Sequence, residues 1–379
     1  MKVLSVSSPS NTGHFLQKIS FDRKLKSSQI VGFTRVPSAS RHHHHRRCRV
    51  ISKAAASSPE RAVIILPGLG NNAADYSNLA AQLQTQNLHV EVAPVARIDW
   101  ARNAAGLLDT AYWTGSLKPR PTVDWYLNRI ATAIAAAKSA AGPDVPLTLL
   151  AHSAGGWLGR LYMLEYGPPS TSQGIDRFVS LGSPHLAPPP GVVDQTRGIL
   201  TWISENSPGC YHDDVEYVTI AGKYVKGAPF SGPGGWQRRV VGAGYQQVCG
   251  DSSAWGDGVV PVPAAHLDGA LQVTLEGVYH SPLGAEEGSV DEKNGENNEV
   301  SAALAEMKQQ QQQQQQQQHG TSYDSDEYNI SIESVEQAAA EASPGPRVWY
   351  GSRLILEKWA PLLKGNAVVA DGPVPQPQE

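Results

Sequence analysis

Leu147-Thr148-Leu149-Leu150-Ala151-His152-Ser153-Ala154-Gly155-Gly156-Trp157-Leu158-Gly159-Arg160-Leu161 is the stretch whose reading decides the fold. Its apolar opening, Leu147 to Ala151, predicts a strand buried on both faces. It then turns through His152, Ser153, Ala154, Gly155 and Gly156. Trp157, Leu158, Leu161, Tyr162 and Leu164 follow at the spacing of a buried helix face. One serine therefore sits on a sharp turn between a strand and a helix. Such a turn strains the serine backbone and needs small neighbours, which Ala151, Ala154, Gly155 and Gly156 supply. Taken alone, S-x-G-G also fits an ordinary glycine-rich turn in a parallel-sheet protein.

Towards the N-terminus, order is predicted to begin at Arg61. Ala62-Val63-Ile64-Ile65-Leu66 reads as a buried strand running into Pro67-Gly68-Leu69-Gly70-Asn71-Asn72. Asp75 to Gln84 reads as a helix with Tyr76, Leu79, Ala80 and Leu83 on its apolar face, and His89 to Ala93 as a second strand. The segment Arg97 to Gly115 carries Trp100 and Trp113; packing is the reading for Trp100, and Trp113 either packs or walls a pocket. Val123 to Ala141 is an alanine-rich helix stopped by Gly142-Pro143-Asp144.

Towards the C-terminus, Arg177 to Gly182 reads as the next strand and closes with Ser183-Pro184-His185. Residues Leu186 to Gly209 form an insertion whose Val192, Val193, Ile199, Leu200, Trp202 and Ile203 suit an amphipathic helix, either a moving lid or a fixed cap. Val215 to Tyr224 is a late strand. Trp255-Gly256-Asp257-Gly258-Val259-Val260-Pro261 follows, then a last strand, Leu271 to Val278, ending in Tyr279-His280-Ser281-Pro282.

The chain has 379 residues and is 40% hydrophobic, enough for a sizeable core. Its net charge of −4 hides an asymmetry. Residues 1–59 carry 11 Lys/Arg and one acid, while residues 284–345 carry 13 acids and two bases. The remainder is close to neutral and gives no sign of nucleic-acid binding. No apolar run approaches the ~18 residues of a membrane span. Three cysteines, Cys48, Cys210 and Cys249, are too few for a disulfide framework. Reduced thiols are the reading for the last two, with a single bridge as the alternative.

Residues 1–56 are rich in Ser, Arg and Lys, nearly free of acids and without a hydrophobic block, and they resemble a chloroplast transit peptide, with a mitochondrial address as the alternative. Residues 284–345, acidic and containing Gln309 to Gln318, read as a disordered insertion. The apolar pattern resumes over residues 346–364, read as a C-terminal helix that docks on the sheet, before a proline-rich tail, 365–379.

P-G-L-G, A-H-S-A-G-G, G-S-P-H, G-D-G-V-V-P and the histidine after the last strand together resemble the α/β-hydrolase superfamily, and within it lipase-type and glycosylphosphatidylinositol-deacylase-like plant proteins. The first position of G-x-S-x-G departs, with Ala151 for glycine. The resemblance covers Arg61 to about Leu283, within the hydrolase domain read over 60–283, plus the helix near Arg347 to Leu363. It implies an α/β protein of the α/β-hydrolase fold, a mostly parallel central sheet flanked by helices, with a lid or cap insertion after the strand ending near Gly182. It also implies a serine esterase or lipase needing no metal and no other cofactor. Ser153 becomes the nucleophile, His280 the general base and Asp257 the acid that orients it. The amides of Leu69 and Ala154 become the oxyanion donors. His185, His266 and His212 remain alternative bases, and Asp251 and Asp268 alternative acids. The implied substrate is a small lipid-like ester, with peripheral membrane contact if it arrives from a lipid surface. Transfer of the acyl group to an alcohol, or a non-catalytic binding module on the same fold, are the alternatives. The residues leave the oligomeric state undetermined.

Overall fold

The computed structural model describes residues 60–167, 169–192, 194–285, 331–343 and 347–365. The basic leader, the glutamine tract and the tail beyond Gly365 lie outside the described residues. Six strands form one sheet: β1 (Arg61–Leu66), β2 (Leu88–Val92), β3 (Leu147–His152), β4 (Ile175–Leu181), β5 (Glu216–Lys223) and β6 (Leu271–Glu276). Their order is β2-β1-β3-β4-β5-β6, with every neighbouring pair parallel. The chain leaves β1 towards one edge and returns on its other side at β3, so the order reverses between them. In open parallel sheets, ligands bind outside the carboxyl ends of the strands at such a reversal. Ser153 stands there, directly after β3.

Apolar side chains on both strand faces account for two covered surfaces. Ala62, Ile64 and Leu66 join Leu149 and Phe178 in a core against α2 (Asp124–Ala141) and α3 (Ala154–Tyr166). Val63, Ile65, Leu150 and Val179 face the other way, against α1 (Ser77–Gln84) and the C-terminal Ile355, Leu356 and Trp359. The excursion after β4 holds α4 (Ile199–Asn206), whose Ile199, Leu200 and Ile203 are buried against the first core. Arg160 of α3 donates to the carbonyls of both His185 and Ser207, and so ties the two ends of this excursion to α3. Burial lowers its guanidinium to about 10. Cys210 and Cys249 are free thiols. Among the described residues, no helix is long and apolar enough to cross a membrane.

Two expectations are corrected. Residues 284–345 do not read as disordered throughout, because Ile332–Ala342 forms a helix. The Ser331 side chain caps it by accepting from the Ser334 amide at 3.2 Å. Val335, Ala338 and Ala339, spaced one helical turn apart, are buried against the helix Trp236–Cys249. The acidic composition of the whole segment concealed this short apolar face. The C-terminal stretch is also not helical from its start. Val348–Trp349 pairs in parallel with Val278–Tyr279, and the helix begins only at Arg353.

The tight passage of α3 under β1 makes Gly155 obligatory. A Cβ there would run into the Leu66 carbonyl oxygen, a backbone atom that no rotamer change can remove. Gly155→Ala is expected to lower stability by about 1–3 kcal/mol, the usual cost of overpacking. Urea unfolding of the two proteins measures it.

Candidate active site

Ser153 has φ of 51° and ψ of −125°. Positive φ in a non-glycine residue costs of order 1–3 kcal/mol, and the surrounding structure must enforce it. Here the Ser153 amide donates to the Leu181 carbonyl at 3.0 Å while α3 begins at the next residue. The chain cannot relax without breaking either the end of β4 or the first turn of the helix. The strain turns the hydroxyl out above the sheet, where Ser153 is partly exposed.

Two further side chains meet it. The His280 Nε2 lies 3.1 Å from Ser153 Oγ, and His280 Nδ1 lies 2.7 Å from Asp257 Oδ2. A carboxylate only accepts, so Nδ1 carries the proton and Nε2 is left to accept from the serine hydroxyl. The backbone reinforces the pair, since the His280 amide donates to the Asp257 carbonyl at 2.9 Å. Asp257 is 0% exposed and His280 4%. Burial disfavours the imidazolium, yet the Asp257 charge and its hydrogen bond outweigh it and hold His280 above the ordinary imidazole value.

The Asp257 carboxylate accepts four hydrogen bonds, the one from His280 among them. The amides of Val259 and Val260 reach Oδ1 at 3.0 and 2.7 Å. The Tyr350 hydroxyl reaches Oδ2 at 2.8 Å, beside His280, while accepting from the Gly222 amide. Burial, with the Asp257 charge next to it, pushes the Tyr350 phenol far up, so it stays a donor. Tyr350 was invisible as a site residue in sequence, where it reads as one more apolar position 93 residues beyond its partner.

The loop after β1 lies against the serine. A Cβ on Gly68 would stand 2.8 Å from the Ser153 Cβ. Three of the loop's carbonyls are taken up by side-chain donors: Pro67 by Tyr126 at 2.6 Å, Gly70 by Arg97 at 3.1 Å and Asn71 by Trp100 at 2.8 Å. Trp100 is thus buried packing with a polar duty. Trp113 stays at the surface, edge-on to Tyr112. Ala154 opens α3, where a first-turn amide has no intrahelical acceptor. Among the described residues, neither the Leu69 nor the Ala154 amide donates to another group. Two free N–H groups flanking a strained serine can stabilise an oxyanion formed beside it.

The alternative residues sit elsewhere. His185 is buried on Ser180 Oγ at 2.9 Å, and His266 bridges Thr219 and Thr274 at 3.0 and 3.1 Å. Burial lowers the pKa of both. His212 packs edge-on to Tyr211. Asp251 accepts from the Ser253 amide at 2.8 Å in its own turn, and the Asp268 carbonyl accepts from the Cys210 amide at 3.1 Å. None of the five takes part in the hydrogen-bonded line through Ser153.

No protein-family model matches the chain, and no curated protein matches it. Solved structures do. A soluble variant of monoglyceride lipase from Saccharomyces cerevisiae is 10% identical, with 60% of this chain and 80% of that one covered and a TM-score of 0.33. A metagenome-derived lipolytic enzyme is 11% identical, with 66% and 95% covered and a TM-score of 0.34. Phospholipase PlaB from Legionella pneumophila is 13% identical, with 58% and 54% covered and a TM-score of 0.34. The α/β-hydrolase fold itself is defined by this chain's own strand order and by the serine turn after β3.

Proposed function

We propose that the chain is a serine hydrolase that cleaves carboxylic esters of an apolar, lipid-like kind. The observation that carries this reading is the unbroken line Ser153 Oγ to His280 to Asp257, at 3.1 and 2.7 Å, standing on a strained turn. His280 takes the proton of Ser153 as Oγ attacks the ester carbonyl. The amides of Leu69 and Ala154 hold the oxyanion. Collapse expels the alcohol, which leaves with the proton from His280. Water, deprotonated by the same ring, then attacks the acyl-serine, and the acid departs as Oγ recovers its proton.

An apolar substrate is supported by the rim. Leu69, next to the loop glycine that touches Ser153, is 48% exposed, and Leu283, three residues beyond His280, is 45% exposed. Contact with a lipid surface and the plastid address both belong to this proposal, and a plastid would offer acyl-lipid or prenyl esters. Acyl transfer to an alcohol would use the same residues, and product analysis in the presence of an acceptor alcohol separates it from hydrolysis.

A fluorophosphonate probe is the direct test. It should label the purified protein on the peptide containing Ser153, and a protein left unlabelled overturns the reading. Labelling should also depend on pH in a defined sense. The base works only when neutral, and Asp257 raises its pKa above the ordinary ~6.5 of imidazole. Reactivity should therefore fall as pH drops through a midpoint above that value, as measured by probe labelling rate or kcat/KM for a soluble ester.

A further inference from the structure

His152, the last residue of β3, has no part in the reaction described above, yet its ring is 1% exposed and hydrogen-bonded at both nitrogens. Nε2 lies 3.0 Å from the His280 carbonyl oxygen. That oxygen can only accept, so Nε2 carries a proton. Nδ1 lies 2.7 Å from the Tyr76 hydroxyl. The same hydroxyl oxygen accepts from the Gly68 amide at 2.9 Å. With one proton to give and two acceptors in reach, Tyr76 faces Nδ1 at 2.7 Å and Asn71 Oδ1 at 3.2 Å. A neutral ring protonated at Nε2 takes the shorter bond. Burial and the neighbouring His280 both push His152 well below the ordinary imidazole value, so it is held neutral.

We infer that His152 is a positioning residue that fixes the distance between the oxyanion loop and the general base. The connection is continuous: Gly68 N–H to Tyr76 hydroxyl, Tyr76 hydroxyl to His152 Nδ1, His152 Nε2–H to the His280 carbonyl. One end is the residue before Leu69, whose amide is the proposed oxyanion donor. The other end is the backbone of the proposed base. The ring also packs 4.8 Å from the His280 ring and edge-on to Tyr76, Trp349 and Tyr350, which enclose it. A Cβ on Gly68 would stand 3.0 Å from His152 Nδ1, so the loop is pressed on the imidazole as well as on Ser153. The residue before the nucleophile thus sets two distances that must be correct together, that of the base to the hydroxyl and that of the donor to the forming oxyanion.

This inference rests on the esterase reading, and the test separates the two. His152→Phe keeps a planar ring in the site, though a larger one, and loses both hydrogen bonds. His152→Gln offers an acceptor towards Tyr76 and a donor towards His280. For a soluble ester, His152→Phe should lower kcat about 100-fold, the cost of about 1 Å of misplacement, with little change in KM. His152→Gln should recover most of that loss. Tyr76→Phe should also lower kcat, and its loss should not multiply with that of His152→Phe, because both break one connection. Ring ¹⁵N shifts of the wild type should show Nε2 protonated and Nδ1 accepting from pH 5 to 9. The inference is overturned if folded His152→Phe keeps wild-type kcat, if Gln is as poor as Phe, or if the ring titrates in that range. A wild type that labels at Ser153 while these variants match it overturns this role alone. A wild type that takes no probe overturns the esterase reading and this role with it.

Discussion

Replacing Ser153 or His280 with alanine is expected to lower kcat for a soluble ester about 10⁶-fold, and replacing both is expected to cost no more than either alone. The geometry requires the non-additivity. Ser153 Oγ is a weak nucleophile until His280 Nε2, at 3.1 Å, takes its proton. On the proposed mechanism the imidazole acts through Nε2 alone, because its Nδ1 proton is committed to Asp257 at 2.7 Å. Each residue works only through the other. What survives should be the contribution of the Leu69 and Ala154 amides, about 10³-fold or more over water. Pre-steady-state and steady-state rates on the two single variants and the double variant measure this. Losses that multiply would show that the two side chains act independently, and losses under about tenfold would place the nucleophile elsewhere. Ser153→Ala keeps the turn's small residue and should leave the fold intact, and circular dichroism serves as the control for every variant.

Much of this site could be read from the sequence because its parts carry local signatures. The β3 run is apolar without interruption, as a strand covered on both faces must be, and Gly155 and Gly156 are there because Leu66 and Ser183 leave no room for a Cβ. Asp257 lies between two glycines and His280 follows the last strand of the sheet, so chain order alone put both near Ser153. The parts that escaped are long-range. Tyr350 and Tyr76 are tyrosines in apolar patterns, and only the folded chain shows their hydroxyls turned onto Asp257 and His152. The helix Ile332–Ala342 escaped for a different reason. Its small apolar face sits inside a strongly acidic stretch, and it is ordered by tertiary burial rather than by its own composition. There Ala339 packs on Gly258 and the Tyr279 hydroxyl donates to the Glu336 carbonyl at 3.3 Å. A segment that reads as a disordered insertion therefore leans on the neighbours of both Asp257 and His280.

Asp257→Asn should lower kcat about 10⁴-fold, a smaller loss than that of the serine, while leaving the fold intact. The reason lies in which way the new amide must face. Oδ1 of Asp257 is held by two backbone donors, the amides of Val259 and Val260 at 3.0 and 2.7 Å. An asparagine NH₂ placed there would confront two N–H groups with no acceptor between them. Its oxygen therefore takes that position, and the NH₂ is forced towards His280. His280 Nδ1 must then accept instead of donating, which moves the ring proton to Nε2. An Nε2 that carries a proton cannot take one from Ser153 Oγ. The substitution thus installs the wrong tautomer by a local hydrogen-bond rule, without moving the ring. Removal of the carboxylate also removes the charge that raises the imidazole pKa, so the remaining activity should lose its acid limb at a lower pH than in the wild type. Asp257→Ala, which imposes no tautomer, should be less impaired at alkaline pH than Asp257→Asn if this account is right. Equal profiles for the two variants would show that the charge alone matters.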